Sequence, residues 1–109
     1  MATTYKVLGQ SNPSATTATT LYTVPAATQT IVSTITVCNQ AATAATYRIA
    51  IRVAGAALAA NQYIAYDVSL PANASDTLTL GVTLGATDVI TVYASSATMS
   101  FAAFGSEIA

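Results

Sequence analysis

Apolar side chains recur at every second position through most of this chain, the period of a strand with one face buried. Across residues 30–38, Ile31, Ile35 and Val37 fall on one face and Val32, Thr34 and Thr36 on the other. Across 45–54, Tyr47, Ile49, Ile51 and Val53 alternate with Arg48, Ala50 and Arg52. Across 62–70, Ile64, Tyr66, Val68 and Leu70 oppose Tyr63, Ala65, Asp67 and Ser69, and across 75–82, Leu78, Leu80 and Val82 oppose Thr77 and Thr79. Residues 5–9, 19–24 and 98–104 are shorter candidates. Residues 88–94 are apolar on both faces, which predicts a strand in the middle of a sheet. Turn chemistry separates these segments at Gly9-Gln10-Ser11-Asn12-Pro13, Val24-Pro25-Ala26-Ala27, Asn39-Gln40, Pro71-Ala72-Asn73 and Gly85-Ala86-Thr87-Asp88. About eight short strands at near-regular spacing predict an all-β fold, an antiparallel β-sandwich of jelly-roll or Ig-like kind. Residues 54–61 break the alternation and read as a loop or a short helical excursion, since alanine is the best helix former.

The 109 residues suit one domain, spanning 1–109, because two halves would each be too small to bury a sound core. Size scaling gives a folded surface of roughly 5,600 Å², about a third of that of the unfolded chain. Alanine supplies 24 of the apolar residues, and 19 threonines and 9 serines must make most of the polar surface. Only seven side chains are charged: Lys6, Arg48, Arg52, Asp67, Asp76, Asp88 and Glu107. Three cations cannot build an electrostatic footprint for nucleic acid or an anionic membrane. So little charge also gives weak protection against association, which predicts life in an assembly. The amino terminus shows no basic segment leading into an apolar one, so no secretory signal is expected, and no run approaches the length of a membrane span.

The same counts limit the chemistry. With no histidine and one cysteine, a structural zinc site, a histidine-based triad and a disulfide framework within the chain have no parts. Asp76 and Asp88 stand at strand starts, where carboxylates cap turns or stay solvated. Asp67 lies on the polar side of its strand, within reach of Arg48 or Arg52 across a ladder. Cys38 has no visible base or helix terminus to make it a thiolate and reads as a small buried apolar residue. Asn73-Ala74-Ser75 matches a glycosylation tripeptide but reads as a turn before a strand. No catalytic, cofactor-binding or metal-ligating residue is assigned, and no cofactor is expected. Of the six tyrosines, most read as core-edge residues with wet hydroxyls. Tyr63, on the face opposite Ile64 and Tyr66, is the best single candidate for a partner contact.

Several stretches together carry a resemblance. They are Tyr5-Lys6-Val7-Leu8-Gly9-Gln10, Leu21-Tyr22-Thr23-Val24-Pro25-Ala26-Ala27-Thr28 with the strand that follows it to Val37-Cys38-Asn39, Tyr63-Ile64-Ala65-Tyr66-Asp67, and Phe104-Gly105-Ser106-Glu107-Ile108. The chain resembles small β-rich virion structural proteins of tailed bacteriophages, especially those of cyanophages and other aquatic phages, over nearly its whole length. The likeness is one of pattern and includes no catalytic motif. It implies a non-enzymatic particle component made in the host cytoplasm, with other virion proteins (major capsid protein or tail proteins) as partners. A homo-oligomer, with a trimer as the expected form, goes with it. The leading expectation is a capsid decoration protein packing in many copies. The alternative is a tail fibre, baseplate or tail-surface subunit acting as an adaptor or host-glycan adhesin. A flat alanine- and threonine-rich surface would favour the first; clustered exposed tyrosines beside Asn or Asp would favour the second.

Overall fold

In the computed structural model, residues 2–109 are described, and the predicted strands are there, nine instead of eight. They are β1 (Thr3–Ser11), β2 (Thr19–Thr23), β3 (Gln29–Asn39), β4 (Ala45–Arg52), β5 (Tyr63–Leu70), β6 (Ser75–Leu78), β7 (Val82–Leu84), β8 (Val89–Ala94) and β9 (Met99–Ile108). All pairings are antiparallel. One sheet runs β1-β9-β3-β6, with β7 pairing β3 beyond β6; the other runs β2-β8-β4-β5. The two form a β-sandwich of 46 × 27 × 20 Å. The accessible surface is 5415 Å², close to the value expected from chain length.

The core lies between the sheets. Val32, Ile35, Val37, Met99, Phe101 and Ala103 come from the five-stranded sheet, and Tyr47, Ile49, Leu70, Ile90, Val92 and Ala94 from the four-stranded one. Burying each larger aliphatic side chain is worth about 1.5–3 kcal/mol. The rings of Tyr47 and Phe101 meet edge to face at 6.1 Å across the two layers, an arrangement favoured by the aromatic quadrupole. Strand β8, apolar on both faces, does sit centrally between β2 and β4, and the outer faces of Val89 and Thr91 are covered as well.

Alternation fails wherever a strand carries an extra residue, because one insertion moves every later side chain to the opposite face. The β3–β9 register slips between Val32 and Thr34. Val32 is therefore buried with Ile35 and Val37, whereas Ile31, expected beside them, is 42% exposed. The Gly105 backbone opposes this bulge so closely that a Cβ there would lie 2.0 Å from the Ile31 carbonyl oxygen. The strand expected over 75–82 is broken into β6 and β7, which pair with successive stretches of β3. Between them Gly81 takes a left-handed conformation (φ +64°) and Leu80 is exposed instead of buried.

Cys38 is also exposed, against the expectation of a buried thiol. Val37 and Asn39 point inward, so the residue between them must point out. Residues 53–62 form the helical excursion, two single 3₁₀ turns at Val53–Gly55 and Ala60–Gln62, and Val53 leaves the core with it. The Arg52 guanidinium donates to the carbonyls of Ala56 (2.7 Å) and Gly55 (3.0 Å) and anchors the excursion to the sheet. Asp88 accepts from the Ala54 N–H at 2.8 Å, tying its other side.

Candidate functional site

The outer face of the four-stranded sheet gathers three of the six tyrosines. On β5 two irregularities in the pairing with β4 fall close together: Tyr47 opposes Val68, Ile49 opposes Ala65 and Ala50 opposes Tyr63. Ile64 and the Tyr66-Asp67 pair thus take up extra residues, and Asp67 adopts a left-handed conformation (φ +49°) that aspartate tolerates better than most residues. Strict alternation would place Tyr63 and Tyr66 on opposite faces. The bulges bring them to the same outer face, with ring centroids 4.9 Å apart and planes at 82°. The expectation that Ile64 and Tyr66 point into the core is thereby overturned; Ile64 is 42% and Tyr66 57% exposed.

Arg48, on β4, sits between two aromatic faces. Its guanidinium carbon lies 4.2 Å from the Tyr66 centroid and 4.3 Å from that of Tyr93 on β8, a double cation–π stack. Its fork also binds Asp67, Nε to Oδ1 at 2.6 Å and Nη2 to Oδ2 at 3.3 Å. This is one of the two cross-strand pairs the sequence allowed. The hydrogen bond to Asp67 raises the guanidinium pKa, and the same bond, with the positive charge behind it, holds the Asp67 carboxyl below the usual carboxylate range. The pair is solvent-exposed, so its role is geometric: it fixes the planes against which the tyrosines pack.

Two clefts adjoin this stack. The larger, about 590 Å³, is lined by Leu58, Ala59, Ala60, Tyr63 and Tyr66. The smaller, about 190 Å³, lies between the excursion and the sheet and has Arg48, Ala50, Leu58, Tyr63, Thr91 and Tyr93 in its wall. Tyr63 and Leu58 belong to both and form the ridge between them. Tyr63, the one contact residue the sequence suggested, therefore lines both clefts. Tyr66, Tyr93 and Leu58 were not singled out, and Arg48 only as one possible partner of Asp67. The available signal was Asp67, a residue type suited to a left-handed bulge inside a strand pattern.

The arrangement can stack through its rings and hydrogen-bond through Arg48, Asp67 and the tyrosine hydroxyls. The four carboxylates stand on different elements and each holds a structural partner. Asp67 binds Arg48, Asp76 accepts from the Tyr47 hydroxyl at 2.8 Å, and Asp88 accepts from the N–H groups of Gly85 and Ala54. Glu107 binds Lys6 at 2.8 Å and accepts from the Tyr22 hydroxyl. Among the described residues no three Cys, Asp or Glu side chains gather as metal ligands would, and no helix is long and apolar enough to cross a membrane.

The outer face of the five-stranded sheet differs in charge and has a cleft of its own, about 340 Å³, with Gln10, Thr36, Cys38, Ser100 and Ala102 in its wall. Reading across the strands, one row is Tyr5–Ser106–Ile31–Thr83 and the next is Val7–Phe104–Thr34. Further along, Gln10–Ala102–Thr36–Thr77 is followed by Ser100, Cys38 and Ser75. None of these side chains is charged. Tyr5 is 83% exposed, and Val7 and Ile31 add to the apolar surface. Comparison with protein-family models, curated proteins and solved structures finds no match to this chain.

Proposed function

We propose that this chain is a non-enzymatic structural subunit of a tailed-bacteriophage particle, packing in many copies on the capsid as a decoration protein. The observation that carries this reading is the charge-free outer face of the β1-β9-β3 sheet, a broad surface of Ser, Thr, Ala and exposed apolar side chains. Desolvating hydroxyls and alkyl groups costs far less than desolvating ions, so such a face suits close packing against other protein. Many modest contacts of this kind add through multivalency. The structural use of all four carboxylates supports the absence of catalysis. The sequence resemblance supplies the particle.

A test leaves the fold intact and spoils the face. Replacing Ile31 and Thr36, both on the outward side of β3, with lysine introduces two buried charges at any interface formed there. The double variant is expected to remain folded by circular dichroism and to be lost from particles when these are sedimented, while the natural chain sediments with them. Incorporation of the variant at the natural copy number would overturn the reading.

A second reading has its own support. Three tyrosines around an Arg48–Asp67 pair, beside an open cleft, combine ring faces for sugar C–H groups with donors and acceptors for hydroxyls. This would suit a tail-surface subunit that engages host glycan. Binding to a glycan panel that is lost in Tyr66→Ala would move the subunit to the tail; no binding at millimolar protein would remove this reading.

A further inference from the structure

Strand β1 forms one edge of the five-stranded sheet and pairs on one side only, with β9. From Ala2 to Val7 every residue is exposed, on both faces of the strand. The hydrogen-bond phase of this edge is set by its first pair. Ala2 and Ala109 exchange both backbone bonds, each at 2.9 Å. Bonded and non-bonded pairs alternate along an antiparallel ladder. With the unbroken register from Thr3–Ile108 to Val7–Phe104, Thr4–Glu107 and Lys6–Gly105 are therefore the bonded pairs. The N–H and C=O groups of Thr3, Tyr5 and Val7 point the other way, into solvent. Past Val7 the free edge ends: the register slips at Leu8, and Gly9 lies against the Leu21 carbonyl.

We infer that this edge pairs with β1 of a second copy, antiparallel, across a two-fold axis at Tyr5. Thr3, Tyr5 and Val7 of one copy then exchange bonds with Val7, Tyr5 and Thr3 of the other, two bonds in each of the three pairs. The match to a second copy lies in the residues. Tyr5 meets Tyr5, an aromatic cross-strand pair, and each Thr3 meets a β-branched Val7. Lys6, the one charge on the segment, falls opposite Thr4, so the two Lys6 residues are diagonal and not directly opposed. Its ammonium is already turned to the inner side and held by Glu107 at 2.8 Å, so it does not guard the edge as lysines on edge strands commonly do. The pairing also continues the row Tyr5–Ser106–Ile31–Thr83 through the axis, joining two charge-free faces into one. The interface is isologous and closes on itself as a dimer. It stands whether or not the assembly is a phage particle.

Position-specific cross-linking tests the register. In a Cys38→Ser background, Tyr5→Cys puts two thiols on directly opposed residues whose Cα atoms would be about 5.5 Å apart, within disulfide range. Lys6→Cys in the same background puts them two residues out of step, beyond about 7 Å, where no bridge closes without backbone movement. Mild oxidation is expected to give a covalent dimer from Tyr5→Cys and at least ten times less from Lys6→Cys. Tyr5→Pro supplies the second measurement. It removes an N–H that the subunit's own ladder does not use, so the melting temperature of the dilute chain should stay unchanged while dimer disappears from sedimentation equilibrium. Equal cross-linking at both positions, no cross-linking at either, or a dimer that survives Tyr5→Pro would overturn the inference.

Discussion

Asn39 is fully buried, and its side chain spans three loops. The amide nitrogen donates to the carbonyls of Thr43 (2.9 Å), Leu70 (3.2 Å) and Pro71 (3.2 Å), while Oδ1 accepts from the Ala41 N–H and the Thr98 hydroxyl. Leu70 ends β5, Pro71 opens the turn after it and Thr43 lies in the loop before β4, so the amide ties these segments together, and a carbonyl buried there without its partner is costly. Replacing the amide by a carboxylate removes both donor hydrogens and sets a negative oxygen against three carbonyl acceptors. Asn39→Asp should therefore lower stability by about 2–4 kcal/mol at neutral pH, read as a lower urea midpoint at constant slope. An unchanged midpoint would mean that the amide does not hold these loops. Tyr47 shows the same economy on a smaller scale. Its ring fills the core and its hydroxyl reaches Asp76, and burial, with that bond second, pushes its ionisation well above the ordinary phenol value.

At the scale of elements, strands were legible because period-two alternation and turn residues are local signals. Their phase was not legible throughout. Ile31 and Val32 exchanged places because β3 absorbs an extra residue at Ser33, opposite Gly105, and that fit depends on a strand seventy residues away in the chain. Tyr66 left the core for the same kind of reason, and with it went most of the tyrosine cluster; only Tyr63 could be read in place. The split of β6 from β7 falls opposite the β3 bulge, between the pairs Val32–Val82 and Ile35–Leu78. The bulge at Asp67 is testable by itself. At φ +49° glycine relieves strain while valine suffers it, and both lose the exposed ion pair equally. Asp67→Val should thus be less stable than Asp67→Gly by about 1–2 kcal/mol in equilibrium unfolding. Equal stability of the two would place Asp67 in ordinary extended backbone. Either variant should also free Arg48 and lower the order of Tyr66 and Tyr93.

For the whole molecule, the two sheets are clamped at one end by a small polar cluster of Lys6, Glu107, Tyr22 and Thr30, which joins β1, β9, β2 and β3. The Lys6 ammonium first, and the Tyr22 hydroxyl second, hold the Glu107 carboxyl below the usual range. Its contribution is complete above its unfolded pKa of about 4.3 and is lost as pH falls through the lower folded value. Burial first, and the bond to Glu107 second, push Tyr22 up to about 12. Tyr22 therefore contributes fully below about pH 10 and loses that contribution as pH rises toward 12. Stability measured by urea unfolding should be flat between these limits, and Glu107→Gln should flatten the acid limb and weaken the alkaline one; an acid limb unaltered in the variant would remove Glu107 from this role. On the same scale stand the two unlike faces, one built around Arg48 and one uncharged along its rows, and the assembly proposed for the second. The most direct measurement of the proposed role is electron cryo-microscopy of intact particles of a phage that encodes this chain, with any copies located and counted. Hundreds of copies on the icosahedral lattice, their β1-β9-β3 faces turned to neighbouring protein, are the expected result. Absence of the chain from the particle, or copies whose charge-free face stands open to solvent, would contradict it.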